Sequence, residues 1–365
     1  MAEPWLLATP RRVLRAGTGT PIPVRAGPGL YARLAHAAAR VLAEAPDGHV
    51  VTGAIPYDED VPAILALTTV TTSPRLCEPT RPVVPGAVAV PPDDPAYLAA
   101  VTGLVRRLRA GAAEKAVLAR TLDISGPGID DAGSIVARLI GRYPSAYVFG
   151  VDLSAAGSRR VLLGASPELL LARRGERVVL NPLAGSAPRH QDPARDRAHA
   201  HGLLRSAKDR REHQLVTEEL AERLRPLSVT LDLPARPSLT AAGPLWHLST
   251  RIRARLRRPA PTSLELAALL HPTAAVCGVP RTAARELIAE FEKEPREYYT
   301  GLVGWTDRHG DGQWVVALRC GTLGEQGLRL HAGAGVLPAS RPDAEHAETA
   351  RKLSALLGVL SPAHP

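Results

Sequence analysis

The chain is poor in aromatic side chains, with two phenylalanines, seven tyrosines and four tryptophans among 365 residues. A protein that stacks nucleic-acid bases needs rings interleaved with basic residues, and that supply is missing. Cysteine is equally scarce. Cys77, Cys277 and Cys320 form an odd set with no C-x-x-C pair and no histidine at zinc-ligand spacing, which disfavours a disulfide framework or a structural zinc. No apolar run approaches the ~18 residues of a membrane span. The leading MAEPWLLATPRRVLRAG places acid before its short apolar stretch and arginines after it, the reverse of a secretory signal. The expected setting is the reducing cytoplasm, without a membrane partner. Phosphate-loop signatures are missing too: there is no G-x-x-x-x-G-K-[ST], and no G-x-G-x-x-G opens a helix after a strand. A G-x-S-x-G elbow for a serine nucleophile is also absent.

What is present is a composition able to bury a sizeable core, 45% hydrophobic against 22% charged. Forty-five basic residues against 36 acidic give a net charge of +9. Such a field attracts nucleic acid, anionic lipid or a small polyanionic metabolite alike, so patterning has to decide. The Arg-densest stretch, RIRARLRR at Arg251–Arg258, alternates basic with apolar residues and reads as a solvated strand edge with one basic face. No nucleic-acid partner is expected from it.

Proline and glycine punctuate the first hundred residues, with turns at SPRLCEPTRPVVPG and PPDDP closing short β-like runs such as VVTGAIPYD. PDDPAYLAAVTGLVRRLRAG reads as a helix capped by Asp93 or Asp94 and stopped at Gly111. β-type runs follow at AVLART, AYVFGVDL, RVLLGAS, ELLLARR and RVVLNPL, with a helix near IVARLIGRY between the first two. A long polar helix is expected from about His201 to Leu227, then helices at SLELAALL and TAARELIAEFE. Late strands fall at WVVALRC and LRLHAGAGV, and a helix spans about Asp343 to Leu357. Strands outnumber what a bundle would contain and do not alternate regularly with helices, so the expected class is α+β. Length alone leaves one or two domains open.

Six residues carry candidate chemistry. Lys115 opens a run that alternates into the core, where a lysine is costly unless paired or used. Glu168 follows a Ser-Pro turn and precedes a wholly apolar segment. Glu212 lies on the long polar helix, and Glu345, Glu348 and Lys352 share one face of the last helix. Should the two acidic helices converge, their carboxylates form a hard oxygen environment suited to Mg²⁺; otherwise they are solvated helix faces. PLAGSAPR and HAGAGVLPAS are small-residue segments where backbone N–H groups can approach an anion closely.

Eight segments in order resemble the chorismate-utilising enzymes, and among them the isochorismate synthases of siderophore and menaquinone pathways. They are KAVLAR, LLGASPELLL, NPLAGSAPR, KDRREHQLV, PLWHLST, LLHPTAAVCGVP, EYYTGLVGWTDRHGDGQWVVALRC and HAGAGVLPASRPDAEHAETARKLS. The resemblance runs from about Gly53 onward, and the first 50 residues match loosely. It implies a single α+β unit over residues 1–365, with a two-layer β-sandwich core and helices outside. Residues 1–100 form its variable part and 101–365 carry the motifs.

The resemblance further implies that Lys115 is the general base activating a water and Glu168 the general acid for the departing hydroxyl. Glu212 and Glu348 become the Mg²⁺ carboxylates, with Glu345 supporting them from behind. Arg319 and Tyr299 fall at the enolpyruvyl carboxylate, and Gly185, Ser186, His247, Thr273, Ala275, Leu318, Gly333 and Lys352 around the rest of chorismate. The implied reaction is Mg²⁺-dependent conversion of chorismate to isochorismate by a monomer. An LRND-type signature of the ammonia-using relatives is replaced by LVTEELAERL, which favours the water-using branch over anthranilate and aminodeoxychorismate synthases. Ala275 resembles the isochorismate formers, whereas Tyr299 and Leu318 resemble salicylate synthases, which eliminate pyruvate after forming isochorismate. That branch stands as the alternative, ahead of a non-catalytic basic binder.

Overall fold

The structure, a computed structural model, describes residues 3–75, 93–125, 129–157 and 159–360. Cys77 and most of the proline-rich turns predicted between Ser73 and Pro95 lie outside the described residues. Twenty strands and eight α-helices are found among the described residues. The first strands are β1 (Trp5–Ala8), β2 (Arg12–Ala16), β3 (Thr20–Pro21), β4 (His49–Ile55), β5 (Ile64–Pro74), β6 (Lys115–Ile124) and β7 (Tyr147–Asp152). They continue with β8 (Val161–Ser166), β9 (Leu169–Arg174), β10 (Arg177–Asn181), β11 (Leu183–Pro188), β12 (Ser228–Asp232), β13 (Ser238–Ala242) and β14 (Leu245–Ser249). The last are β15 (Ile252–Leu256), β16 (Gly278–Val279), β17 (Leu302–Asp307), β18 (Gly312–Val316), β19 (Cys320–Gly324) and β20 (Gly327–Val336). The helices are α1 (Leu30–Glu44), α2 (Pro95–Arg109), α3 (Ala132–Arg142), α4 (Pro193–Arg205), α5 (Ala207–Leu224), α6 (Ser263–Leu270), α7 (Arg281–Phe291) and α8 (Pro342–Leu360).

All strand pairing is antiparallel, in two large layers. One layer runs β16-β6-β20-β19-β8-β7-β1-β2-β5. The other runs β12-β15-β10-β9-β18-β17-β4-β5-β3. Strand β5 belongs to both, pairing with β4 through Ile64–Thr69 and with β2 through Val70–Pro74. Between the layers, Leu7, Phe149 and Leu162 of the first share a buried cluster with Ala54, Val303 and Val315 of the second. This is the inner face that an alternating pattern in each strand predicts. Helices α3 and α8 cover the outer face of the first layer, where Ile135, Leu139, Leu353 and Leu356 meet Leu163 and Leu330. Helices α1, α5 and α6 cover the second. Each fully buried leucine contributes about 1.5–3 kcal/mol. A third, small sheet in the order β11-β14-β13 stands apart from both layers.

The predicted α+β class and sandwich core are observed, with four local differences. The polar helix expected from His201 to Leu227 is two helices, because Ser206 ends α4 and caps α5 by accepting the Asp209 N–H. Helix α1 occupies a stretch read only as short β-like runs; Leu30, Leu34, Ala38 and Leu42 are its buried stripe. Strand β15 is no edge, since it lies between β12 and β10; its outward Arg253 and Arg255 pair with Asp232 and Glu176, and Arg258 with Glu176 as well. The late strand expected through WVVALRC stops at Val316, and the chain then turns so that Arg319 takes φ +47°.

Candidate active site

A cavity, partly open to solvent, lies where the small sheet, β6, β20, α5 and α8 come together. One end is built around Arg319. Its left-handed backbone directs the guanidinium beneath the small sheet, where Nη1 donates to the Ala242 carbonyl at 2.7 Å and Nη2 to His247 Nε2 at 2.5 Å. His247 Nδ1 meets the Gly185 carbonyl at 3.1 Å, so Nδ1 carries the proton and Nε2 accepts. Burial first, then the neighbouring Arg319 and Lys352, holds the His247 imidazole neutral, well below its usual titration range. Burial also lowers Arg319 to about 10. No carboxylate pairs with Arg319 among the described residues, which leaves a buried cation facing the cavity.

Gly185 and Ser186 reach the same cavity because a register shift between Ala184 and Ser186 bulges β11 against β14. Gly185 takes φ +72°, and a Cβ there would stand 2.9 Å from Asp209 Cβ. The Ser186 hydroxyl is buried without a hydrogen-bond partner among the described residues, free to meet a ligand.

The other end is charged but paired. Glu212 of α5 lies 3.1 Å from the Lys115 ammonium, Glu345 Oε1 accepts from Lys208 at 2.5 Å, and Glu348 Oε1 accepts from Lys352 at 2.7 Å. Lys352 also donates to the Gly333 carbonyl at 2.9 Å. Gly335 sits against the first of these pairs: a Cβ on it would fall 2.0 Å from Glu212 Oε1 and 2.9 Å from Lys115 Cε. Burial and then Glu348 push the Glu345 carboxyl up. For Glu348, burial is outweighed by Lys352, Lys208 and Arg351, which hold it below the usual range. Glu212 and Glu348 both border the cavity.

Between the ends stands Glu168, 3% exposed, at the mouth of the Ser-Pro turn that Ser166 braces by accepting the Glu168 N–H at 3.1 Å. Burial raises its carboxyl to about 8 in spite of Lys115 and Lys352. It is therefore mostly protonated at neutral pH, an acid even with Lys115 and Lys352 nearby.

Arg319, left without an acidic partner among the described residues, suits a ligand that carries a carboxylate. Comparison with known proteins agrees: residues 71–361 match the family model described as chorismate binding enzyme. The chain belongs to that family. It is 44% identical over 276 residues to isochorismate synthase DhbC of Bacillus subtilis, covering 75% of this chain and 69% of that protein. It is 47% identical to isochorismate synthase EntC of Escherichia coli over 246 residues, 67% of this chain and 62% of EntC. Among solved structures, a Bacillus anthracis protein provisionally described as a 2,3-dihydroxybenzoate-specific isochorismate synthase, DhbC, superposes with a TM-score of 0.89 at 36% identity. That match covers 98% of this chain and 96% of the other.

Of the residues expected at the site, Glu168, Gly185, Ser186, Glu212, His247, Ala275, Tyr299, Leu318, Arg319, Gly333, Glu348 and Lys352 border this one cavity. Three differ. Lys115 does not line it and instead reaches it through Glu212, its side chain fully buried. Thr273 turns away: its hydroxyl accepts the Ala275 N–H at 3.3 Å and its carbonyl accepts from Val276 and Cys277, so it shapes the loop whose next residues form the wall. Glu345 lies on the buried stripe of α8 with Thr349 and Leu353 rather than beside Glu348 on the cavity face.

Accordingly, among the described residues no group of three histidine, cysteine or acidic side chains could hold a metal by itself. The donors that face the cavity are two hard carboxylates from two helices. That set fits Mg²⁺, which takes one or two carboxylates and completes its shell with water and substrate oxygens. Residues missed from the sequence include Val117, His331 and Gly335. Period-2 alternation from Lys115 and from Gly333 points to all three. Lys208 was missed as well, and nothing local marks it.

Proposed function

We propose that the protein is a Mg²⁺-dependent isochorismate synthase, an isomerase that moves the ring hydroxyl of chorismate from C4 to C2. The observation that carries this reading is Glu168, held neutral by burial in a cavity that also presents Lys352 and Arg319, the latter without an acidic partner among the described residues, with Lys115 behind Glu212. The guanidinium of Arg319, kept in place by neutral His247, grips the enolpyruvyl carboxylate as a bidentate partner. Tyr299, stacked on His331 at 5.0 Å between ring centres, closes that side of the cavity. Glu212 and Glu348 would hold Mg²⁺, which would supply Lewis-acid charge to the substrate's ring carboxylate. Once its ammonium has given a proton to solvent, the Lys115 amine accepts one from the water that adds to C2. The ring double bonds shift, the C4–O bond breaks, and the Glu168 proton leaves with that oxygen as water. Atoms balance: one water enters and one departs.

The buried, unbridged Cys277 and Cys320 suit a reducing cytoplasm, and no helix among the described residues is long and apolar enough to cross a membrane. Only Val229 and Leu269 are exposed large hydrophobics among the described residues, which favours a monomer. The decisive experiment incubates the protein with chorismate and Mg²⁺, with and without EDTA, and resolves the products by chromatography. Isochorismate formed only in the presence of Mg²⁺ is the expected result. Salicylate with pyruvate would replace this reading by the salicylate-synthase branch, and anthranilate on adding ammonia by the amine-using one.

A further inference from the structure

We propose that the ion pair Glu292–Arg296 is a positioning element for the reaction, acting in place of an absent strand beside β6; this rests on the synthase reading above. Strand β6 carries Lys115 and, two residues on, Val117, which lines the cavity. On one side β6 is fully paired, from Ala116 to Ile124, by β20. On the other side, among the described residues, β16 pairs only with Lys115 and Ala116, and backbone contact ends where the Val117 N–H donates to the Cys277 carbonyl at 2.8 Å. In an antiparallel ladder, the next groups on that side are the Val117 carbonyl and the Ala119 N–H.

Side chains take both. Arg296 Nη2 donates to the Val117 carbonyl at 2.8 Å, and Glu292 Oε1 accepts the Ala119 N–H at 2.7 Å. Glu292 and Arg296 hold each other through two contacts, at 2.8 and 2.5 Å, and the guanidinium lies 4.5 Å from the centre of the Tyr57 ring. Arg296 is 2% exposed.

The same guanidinium then reaches the opposite wall. Its Nη1 donates to the Val276 carbonyl at 2.6 Å, and Ala275 and Val276 both line the cavity. One buried group therefore sets the gap between the strand of the base and the loop that faces the substrate. A lysine has no second arm to span it, and a glutamine at 292 keeps the acceptor while losing the charge. Neither residue borders the cavity, so the pair acts through Lys115 and the 273–277 loop.

The test compares Arg296→Met, Arg296→Lys and Glu292→Gln with the wild type, each also combined with Lys115→Gln. Misplacement of this kind lowers kcat by about 10²-fold for Arg296→Met and by about tenfold for the two milder variants, with KM little changed. In the Lys115→Gln background the further loss shrinks to the part carried by the 273–277 loop, because one of the two positioned elements is gone. Hydrogen exchange, read in parallel, accelerates at residues 115–119 and 273–277 alone. Wild-type kcat in folded Arg296→Lys and Glu292→Gln overturns the proposal. So does a loss of equal size in the Lys115→Gln background, or exchange that accelerates throughout the chain. A wild type that leaves chorismate unchanged defeats the synthase reading instead, and the confined exchange pattern still decides whether the pair positions these two segments.

Discussion

At one end of the cavity Arg319 stands without an acidic partner among the described residues, braced by a neutral imidazole; at the other, Glu212, Glu345 and Glu348 are each matched to a lysine. The first arrangement is costly until a ligand brings a carboxylate to it, because a buried lone cation has lost its hydration. The second is already neutralised, so a divalent ion bound there would have to displace ammonium groups from their carboxylates. On the proposed reading, recognition of substrate charge is concentrated at the Arg319 end, and chemistry at the end where lysines and acids are interleaved.

Variants at the two ends should therefore fail differently. Lys115→Gln and Glu168→Gln are each expected to lower kcat by about 10² or more with chorismate affinity less affected; near-normal turnover in steady-state assays would remove them from the mechanism. Arg319→Met should instead weaken chorismate binding about ten- to hundredfold, since a charge-assisted bidentate contact is lost. Calorimetric titration that finds unchanged affinity would move the anion site elsewhere.

The acid also leaves a signature in pH. Activity should fall as pH rises through about 8, where Glu168 loses its proton. Because its folded value lies above the ordinary 4.5, the stability linked to its protonation is complete below about pH 4.5 and lost as pH rises through about 8. The full displacement corresponds to about 5 kcal/mol. Glu168→Gln should accordingly gain on the wild type in denaturant melts at pH 9 relative to pH 5, and parallel pH curves would contradict a buried neutral acid. The smallest effect belongs to Thr273→Val, which loses the hydroxyl facing the Ala275 N–H. A destabilisation of about 1 kcal/mol with unchanged KM for chorismate is expected, and a large rise in KM would return Thr273 to the substrate.

Much of this contrast is legible in the string of residues, and the limits have physical causes. Lys115 and Glu168 betray themselves as charges set in apolar strands, where only pairing or use offsets burial. Periodicity places α2, α6, α7 and α8 and most strands, because each buries one face. It cannot reveal that Ser206 interrupts a uniformly polar stretch, since a cap is a matter of one hydroxyl and the backbone ahead of it. Nor can it reveal the bulge that turns both Gly185 and Ser186 into the cavity, which breaks the alternation that a reader of strands relies on. Glu345 shows the same limit in a helix: three and four residues separate it from Glu348 and Thr349, and only packing decides which neighbour shares its face.

The strand common to both layers has a practical consequence for anyone preparing fragments. The stretch recognised as the family's begins at residue 71, in the middle of β5. Trimming the chain to that stretch would strip β1 from β7 and β4 from β17, baring two long ladders of unpaired amides and carbonyls to solvent. A shortened protein of that kind should pair with its own copies and come out of the cell as aggregate, even though every residue named in the proposed chemistry would still be in it.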